Sequence, residues 1–277
     1  MECLAGLSAA ADGHPLIAHV MANGCTDGTE DAVRAWAAGR GDLRLFSLRP
    51  GDKAGAWNEY VHTIRADADV HFFVDGHIRP GPRSMAHLAE ALAANGTANA
   101  AGALPESGRH REAWRGQMLR NRTLAGGLYA LSRRFIERIR RLDLRLPVGF
   151  LGDDTLVSYL AREDFGEPPP ADQSARVIVE ERAEFAFHPL SPFRPGDWRT
   201  HLRRRFRQAL KAYQYTLLMP RLAERGLGSM PASVDDLYLA ADPLPRLRWR
   251  ARDALFYALA QRHIRLRVAR LKAASTR

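Results

Sequence analysis

Val70-His71-Phe72-Phe73-Val74-Asp75-Gly76-His77 is a β-branched and aromatic run of strand length, closed by an Asp-Gly stop. Upstream, Leu43–Leu48 alternates like a strand and Leu16–Met21 is a second short apolar run. Helical patterns fill the intervals at Glu2–Ala11, Asp31–Ala38 and Ala54–Ala66. Downstream, Pro82 suits a first helical position and Ser84–Ala94 continues that helix. Strands alternating with helices predict an α/β fold, with a mainly parallel doubly wound sheet and flanking helices. Such sheets bind ligands beyond the carboxyl ends of their strands. Two polar clusters, Asn23–Thr29 and Asp75–His77, fall at those ends.

The later sequence is less regular. Leu124–Ser132 reads as a strand opened by glycines, Arg133–Arg141 as a basic helix, and Gly149–Arg162 as a loop running into a helix. Glu167–Gln173 is a proline turn, and Val177–Val179 with Glu184–Phe187 form a predicted strand pair. Trp198–Leu218 is a long basic helix, Pro243-Leu244-Pro245 a linker, and Ala91–Ala103 a low-complexity alanine stretch. The expected organisation is a domain over 1–215, with halves at 1–105 and 106–215, and a helical basic carboxy-terminal extension over 216–277.

The 277 residues are 46% apolar, enough to bury a core without disulfides or a structural metal. Two cysteines, Cys3 and Cys25, exclude a disulfide framework. No uncharged apolar run reaches the ~18–20 residues of a membrane span, and the amino terminus has no signal pattern. The expectation is a cytoplasmic protein. Of the net charge of +10, residues 199–211 hold +6 and residues 246–277 hold +9, which leaves −5 for the remainder. Basic charge gathered at one end points to phosphates or an anionic surface.

Motifs in a fixed order sharpen this. Asn23-Gly24-Cys25-Thr26-Asp27-Gly28-Thr29 is followed by Asp52-Lys53-Ala54-Gly55-Ala56-Trp57-Asn58 and Asp75-Gly76-His77. Gly126-Gly127, Gly152-Asp153-Asp154 and Arg203-Arg204-Arg205-Phe206 complete the set. Over about residues 1–215 this order resembles glycosyltransferase family 2, nucleotide-sugar enzymes of the GT-A fold. The resemblance implies an inverting transfer of sugar from a nucleoside diphosphate sugar to a hydroxyl acceptor, either a saccharide or lipid-linked. It also implies Mn2+ or Mg2+ as cofactor.

Asp75 and His77 stand where the family has its Asp-x-Asp metal motif, and an imidazole ligand favours manganese. His188, in Phe185-Ala186-Phe187-His188-Pro189, is the candidate third ligand. Asp154 matches the general base, which must reach the acceptor hydroxyl, and Asp153 would orient it. Gly126 and Gly127 match an acceptor-binding bend. Asn23, Asp27, Lys53 and Asn58 match donor-binding positions, joined by Arg204 and Arg205 as a diphosphate clamp. Each residue also has a plainer reading: an Asp-Gly turn with a surface histidine, a strand-end His188, helix-capping aspartates, a glycine bulge, or a solvated arginine face.

The sequence departs from the family at Ala22 and Leu202, which stand where an Asp and a Gln are usual. The family's opening strand ends in Pro-x-x-Asn-Glu, and Glu2–Ala11 resembles the helix that follows it. These departures motivate the alternative of a catalytically inactive relic serving as a membrane-associated scaffold.

The tail from Arg246 interleaves Trp249, Leu255, Phe256, Tyr257, Leu259, Ile264, Leu266, Val268 and Leu271 with basic residues. Tyr257, Ile264, Val268 and Leu271 share one helical stripe, while Leu255, Leu259 and Leu266 lie opposite. Arg262, Arg265, Arg267, Arg270 and Lys272 then suit lipid headgroups, for a protein peripheral on the inner face of the cell membrane, as well as plain solvent. No nucleic-acid module accompanies the charge, so no specific nucleic acid is expected.

Overall fold

The computed structural model describes residues 2–49, 51–168, 175–188, 194–241, 243–245, 247 and 251–275. Residues 169–173 of the expected proline turn, together with Arg246 and Trp249, lie outside the described residues. Two compact units emerge. The first comprises Met1–Gly51, Asn58–Leu144 and Gly152–Pro189; the second comprises Asp52–Trp57, Arg145–Leu151 and Leu190–Arg277.

The first unit begins with α1 (Glu2–Ala11), β1 (Ala18–Asn23), α2 (Thr29–Ala37) and β2 (Leu43–Leu48). The β-α-β crossover makes β1 and β2 parallel, from Ala18 opposite Leu43 to Asn23 opposite Leu48. Next come α3 (Lys53–Glu59), whose first residues count with the second unit, and a π-helical turn over Tyr60–Ile64. Then follow β3 (Val70–Val74), β4 (Ile78–Pro80), α4 (Ser84–Ala94), β5 (Ala100–Pro105), α5 (Arg111–Asn121), β6 (Leu128–Ser132) and α6 (Arg133–Arg141). After the second-unit segment Arg145–Leu151, α7 (Asp153–Glu163) and β7 (Val177–Phe187) finish the unit.

Five strands form one sheet in the order β3-β6-β5-β7-β4. The expected parallel pairing holds for β1–β2 and β5–β7, whereas β3–β6, β5–β6 and β4–β7 are antiparallel. Thus only one of the four pairs in the larger sheet is parallel, and "mainly parallel" does not describe it. Helix α4 buries Met85, Leu88 and Leu92 in a core shared with Ile78, Leu104, Met118, Leu128 and Phe185. Full burial of such side chains contributes about 1.5–3 kcal/mol each.

Three local differences from the sequence reading have clear causes. The alanine stretch conceals β5, all six residues of which are buried. A Cβ on Gly102 would lie 3.1 Å from Leu124 Cδ2, so this strand is lined by small residues because its neighbours come close. The two short strands near 177–187 are one strand. Ala103 pairs with Glu180 but Leu104 with Glu184, so Glu181–Ala183 bulge out of the ladder. Pro82 does not begin α4, because Arg83 is left-handed at φ 58° and the helix starts at Ser84.

At the edge strand β3, His71 is 1% exposed and its Nδ1 lies 2.9 Å from the Tyr60 hydroxyl. Its Nε2 is buried with no hydrogen-bond partner among the described residues. Burial, then the Arg65 and Arg133 charges, push the His71 pKa down to about 4.

The second unit is helical: α8 (Pro195–Arg225), α9 (Val234–Leu239) and α10 (Ala254–Ser275). The expected domain boundary after residue 215 falls inside α8, which runs unbroken for 31 residues. Tyr213 of α8 meets Tyr257 of α10 with ring centroids 6.2 Å apart, and Gln214 donates to the Tyr238 hydroxyl of α9 at 2.8 Å.

Candidate active site

In the first unit, the turn Gly126-Gly127 joins two expected site residues. Asp75 N donates to Gly127 O at 3.0 Å, and Gly126 N donates to Asp154 Oδ2 at 3.1 Å. The exit of β3 and the start of α7 therefore meet at one pair of glycines. A second bond set fixes the same place: Leu124 N donates to Ser158 Oγ, and that hydroxyl donates to Asp154 O, both at 2.8 Å. Ser158 had no sequence signal, because one serine inside a helix ordinarily reads as neutral. Its 1% exposure and double bond make it a positioning residue.

The start of α7 explains its sequence. Gly152 adopts φ 103°, a conformation that disfavours a Cβ, and so turns the chain directly into the helix. Asp153 is buried, and Asp154 Oδ1 accepts from Thr155 N at 2.8 Å. Gly152, not Asp154, is the N-cap of α7, and the bond from Thr155 N within the first turn sets the direction of the Asp154 carboxylate.

Asp75 and His77 belong to one tight turn in which Ile78 N donates to Asp75 O at 3.1 Å. His77 is exposed and Asp75 half-buried. The buried Cys3 thiol is pushed up to about 11, mainly by burial, with the Asp75 charge adding to it. At that pKa Cys3 is an inert thiol. Ile78 pairs with Phe187, so one further step along the antiparallel register sets His188 across from His77. The His188 side chain is 90% exposed and its Nε2 lies 3.7 Å from Glu2 Oε2. Among the described residues no three His, Cys, Asp or Glu side chains converge as a metal site. His188 is thus a neighbour of the turn, with its side chain directed to Glu2. A carboxylate and an imidazole from one turn suit a divalent cation whose remaining positions are filled by phosphate oxygens and water.

Gly127 requires a correction. A Cβ there would lie 2.3 Å from Phe185 Cε2, so a ring and not an acceptor occupies that space. Phe185 is itself buried and edge-on to Trp114, with centroids 6.2 Å apart, and has no room to yield. Gly127→Ala should cost about 1–3 kcal/mol, read as a lower urea midpoint with an unchanged m-value. Gly126 is half-buried with its N–H committed to Asp154.

The expected donor residues divide between the units. Asn23 ends β1, half-buried, and the preceding Ala22 is buried. Asp27 is exposed and accepts from Thr29 N at 3.1 Å; the Thr29 side chain first, and then that backbone bond, hold its pKa low at the start of α2. Asn58 is buried. In the second unit Lys53 is exposed in the first turn of α3, which Asp52 caps by accepting from Gly55 N at 2.8 Å. A Cβ on Gly55 would sit 2.7 Å from that carboxylate oxygen, which accounts for the Asp-Lys-Ala-Gly pattern.

Arg205 is also corrected as a clamp. Its guanidinium donates to Asp253 at 2.6 Å and lies 4.4 Å from the centre of the Phe256 ring, so it joins α8 to α10. Arg204 is exposed. Arg203, Phe206 and Arg207 instead line a cleft of about 290 Å³ with Gln214, Tyr238 and His263, all within the second unit.

No family model matches the chain, and no curated protein does. Among solved structures it is similar to the mannosyltransferase PcManGT from Pyrobaculum calidifontis, in complex with GDP-Man and Mn2+. The identity is 22%, over 99% of this chain and 81% of that one, with a TM-score of 0.57. A looser likeness, at TM-score 0.44 and 19% identity over 81% of this chain and 84% of the other, is to glucosyl-3-phosphoglycerate synthase from Mycobacterium tuberculosis in complex with Mg2+ and UDP. GalNAc-T7 with UDP, GalNAc and Mn2+ is similar at TM-score 0.47 and 10% identity, over 80% of this chain and 48% of that one. The class is plain: the chain has the GT-A fold. Within that class, the likeness to the mannosyltransferase runs along essentially the whole chain.

Proposed function

We propose that the protein is a metal-assisted glycosyltransferase that moves a sugar from a nucleoside diphosphate sugar to a hydroxyl acceptor, with inversion at the anomeric carbon. The observation that carries this is the Gly126-Gly127 turn, which binds the Asp75 backbone on one side and the Asp154 carboxylate on the other. A candidate cation-binding turn and a candidate base thereby share one turn. The GT-A fold and the neighbour bound to GDP-Man and Mn2+ support the same reading.

Asp75 and His77 would hold the cation. When bound, it neutralises charge on the diphosphate as that group departs. The protein's own part is to orient. Asp154 accepts from Gly126 N at Oδ2 and from Thr155 N at Oδ1, and this held carboxylate takes the proton of the acceptor hydroxyl. Ser158 ties the backbone at Asp154 to Leu124, and Gly126 N and Thr155 N hold its carboxylate, so the proton acceptor is in place before the acceptor arrives. Asp153, beside it in the first turn of α7, is buried.

With Mn2+ present, the protein should hydrolyse or transfer sugar from GDP- or UDP-sugars, and chelation should abolish the reaction. Calorimetry that detects no binding of GDP or UDP in the presence of Mn2+ would instead establish the inactive relic.

A further inference from the structure

We infer that the second unit docks on an anionic lipid surface through the outward face of α10, independently of any catalysis by the first. Helix α10 buries Phe256, Ala260 and Ile264. On its other side Leu255, Leu259 and Leu266 are 64%, 42% and 47% exposed. Their spacing of four and then seven residues confines them to an arc of about 40°, centred about 120° round the helix from the buried stripe. Single exposed leucines are ordinary, but three in one line are not.

Charge identifies what covers them. Arg262 and Arg270 border the leucine arc on its two sides, and Arg265 is exposed further round the helix. Arg267 is excluded because Asp235 holds it through both carboxylate oxygens. Residues 254–275 contain no Asp or Glu. A second copy of this face would set arginine against arginine with no acid to pair. A nucleic acid would engage the arginines and leave the leucines in water. A lipid surface with anionic headgroups accommodates both, with leucines at the acyl boundary and arginines among the phosphates. No helix among the described residues is long and apolar enough to cross a membrane, so α10 lies along the surface.

The test is flotation with vesicles of phosphatidylcholine, alone and mixed with phosphatidylglycerol. The protein should float with the mixed vesicles at low salt and stay behind with phosphatidylcholine alone. Arg262→Gln/Arg265→Gln/Arg270→Gln should weaken binding about 100-fold, and Leu255→Gln/Leu259→Gln/Leu266→Gln about 10-fold or more. All six side chains are exposed, so both variants should keep the parent thermal midpoint. Equal flotation with neutral vesicles overturns the inference. So does parent-level flotation of the leucine variant, which would mean charge adsorption alone. A parent dimer in lipid-free sedimentation that the leucine variant dissociates would assign the face to self-association and overturn it equally.

Discussion

Asp154→Asn should lower turnover by roughly 10²–10⁴, the usual worth of a positioned general base, while nucleoside diphosphate binding persists. The substitution is nearly isosteric, and the amide oxygen can still accept from Gly126 N as Oδ2 does now at 3.1 Å. What disappears is basicity, since an amide does not take up a hydroxyl proton. One cost is foreseeable: the carboxylate accepts from both Gly126 N and Thr155 N, and an amide nitrogen cannot replace the second acceptor. Thermal unfolding of the variant must therefore accompany the kinetics. The decisive pair of measurements is single-turnover transfer and calorimetry with the nucleotide. A variant that transfers at the parent rate removes Asp154 from the chemistry, whereas one that also loses nucleotide binding points to a collapsed site.

The second large effect concerns stability against pH. The pKa of His71 is about 4 when folded, against 6.5 for the free side chain, because burial disfavours its charged form. A depressed folded value means that the unfolded chain takes up the proton first as pH falls. The full contribution is present above pH 6.5 and is lost progressively toward pH 4. A difference of that size corresponds to about 3 kcal/mol. Urea unfolding between pH 7 and 5 should show a falling midpoint, a range above most carboxylate titrations. His71→Phe should flatten much of that slope. His19 is also lowered, by burial and Arg44, and should leave a smaller residual slope of the same sign. An unchanged slope in His71→Phe would show that the imidazole is solvated as freely when folded as when unfolded.

How legible the chain was depended on whether an element announced itself locally. Glu2–Ala11, Leu43–Leu48, Val70–Val74 and Arg133–Arg141 are placed residue for residue by the sequence reading, because their apolar spacing and stops are self-contained. β5 was illegible because its alanines answer to neighbours distant in sequence, and β4 is only three residues long. The bulge at Glu181–Ala183 inserted charges into β7 and made one strand look like two. Motif order picked out Asp75, Gly126 and Asp154 as candidates, and the structure brings all three to one glycine turn. Ser158, which positions Asp154, was missed because hydrogen bonds across 34 residues leave no pattern. Arg205 was misread because a sequence shows an arginine but not the Asp253 and Phe256 that occupy it.

The double bond made by Ser158 limits how such a protein can change. Because the hydroxyl ties Leu124 to the backbone of Asp154, the glycine bend and the carboxylate shift together or stay still. New acceptor preferences therefore cannot come from nudging the base alone. Under the function proposed above, they have to arise in walls that are not wired to Asp154.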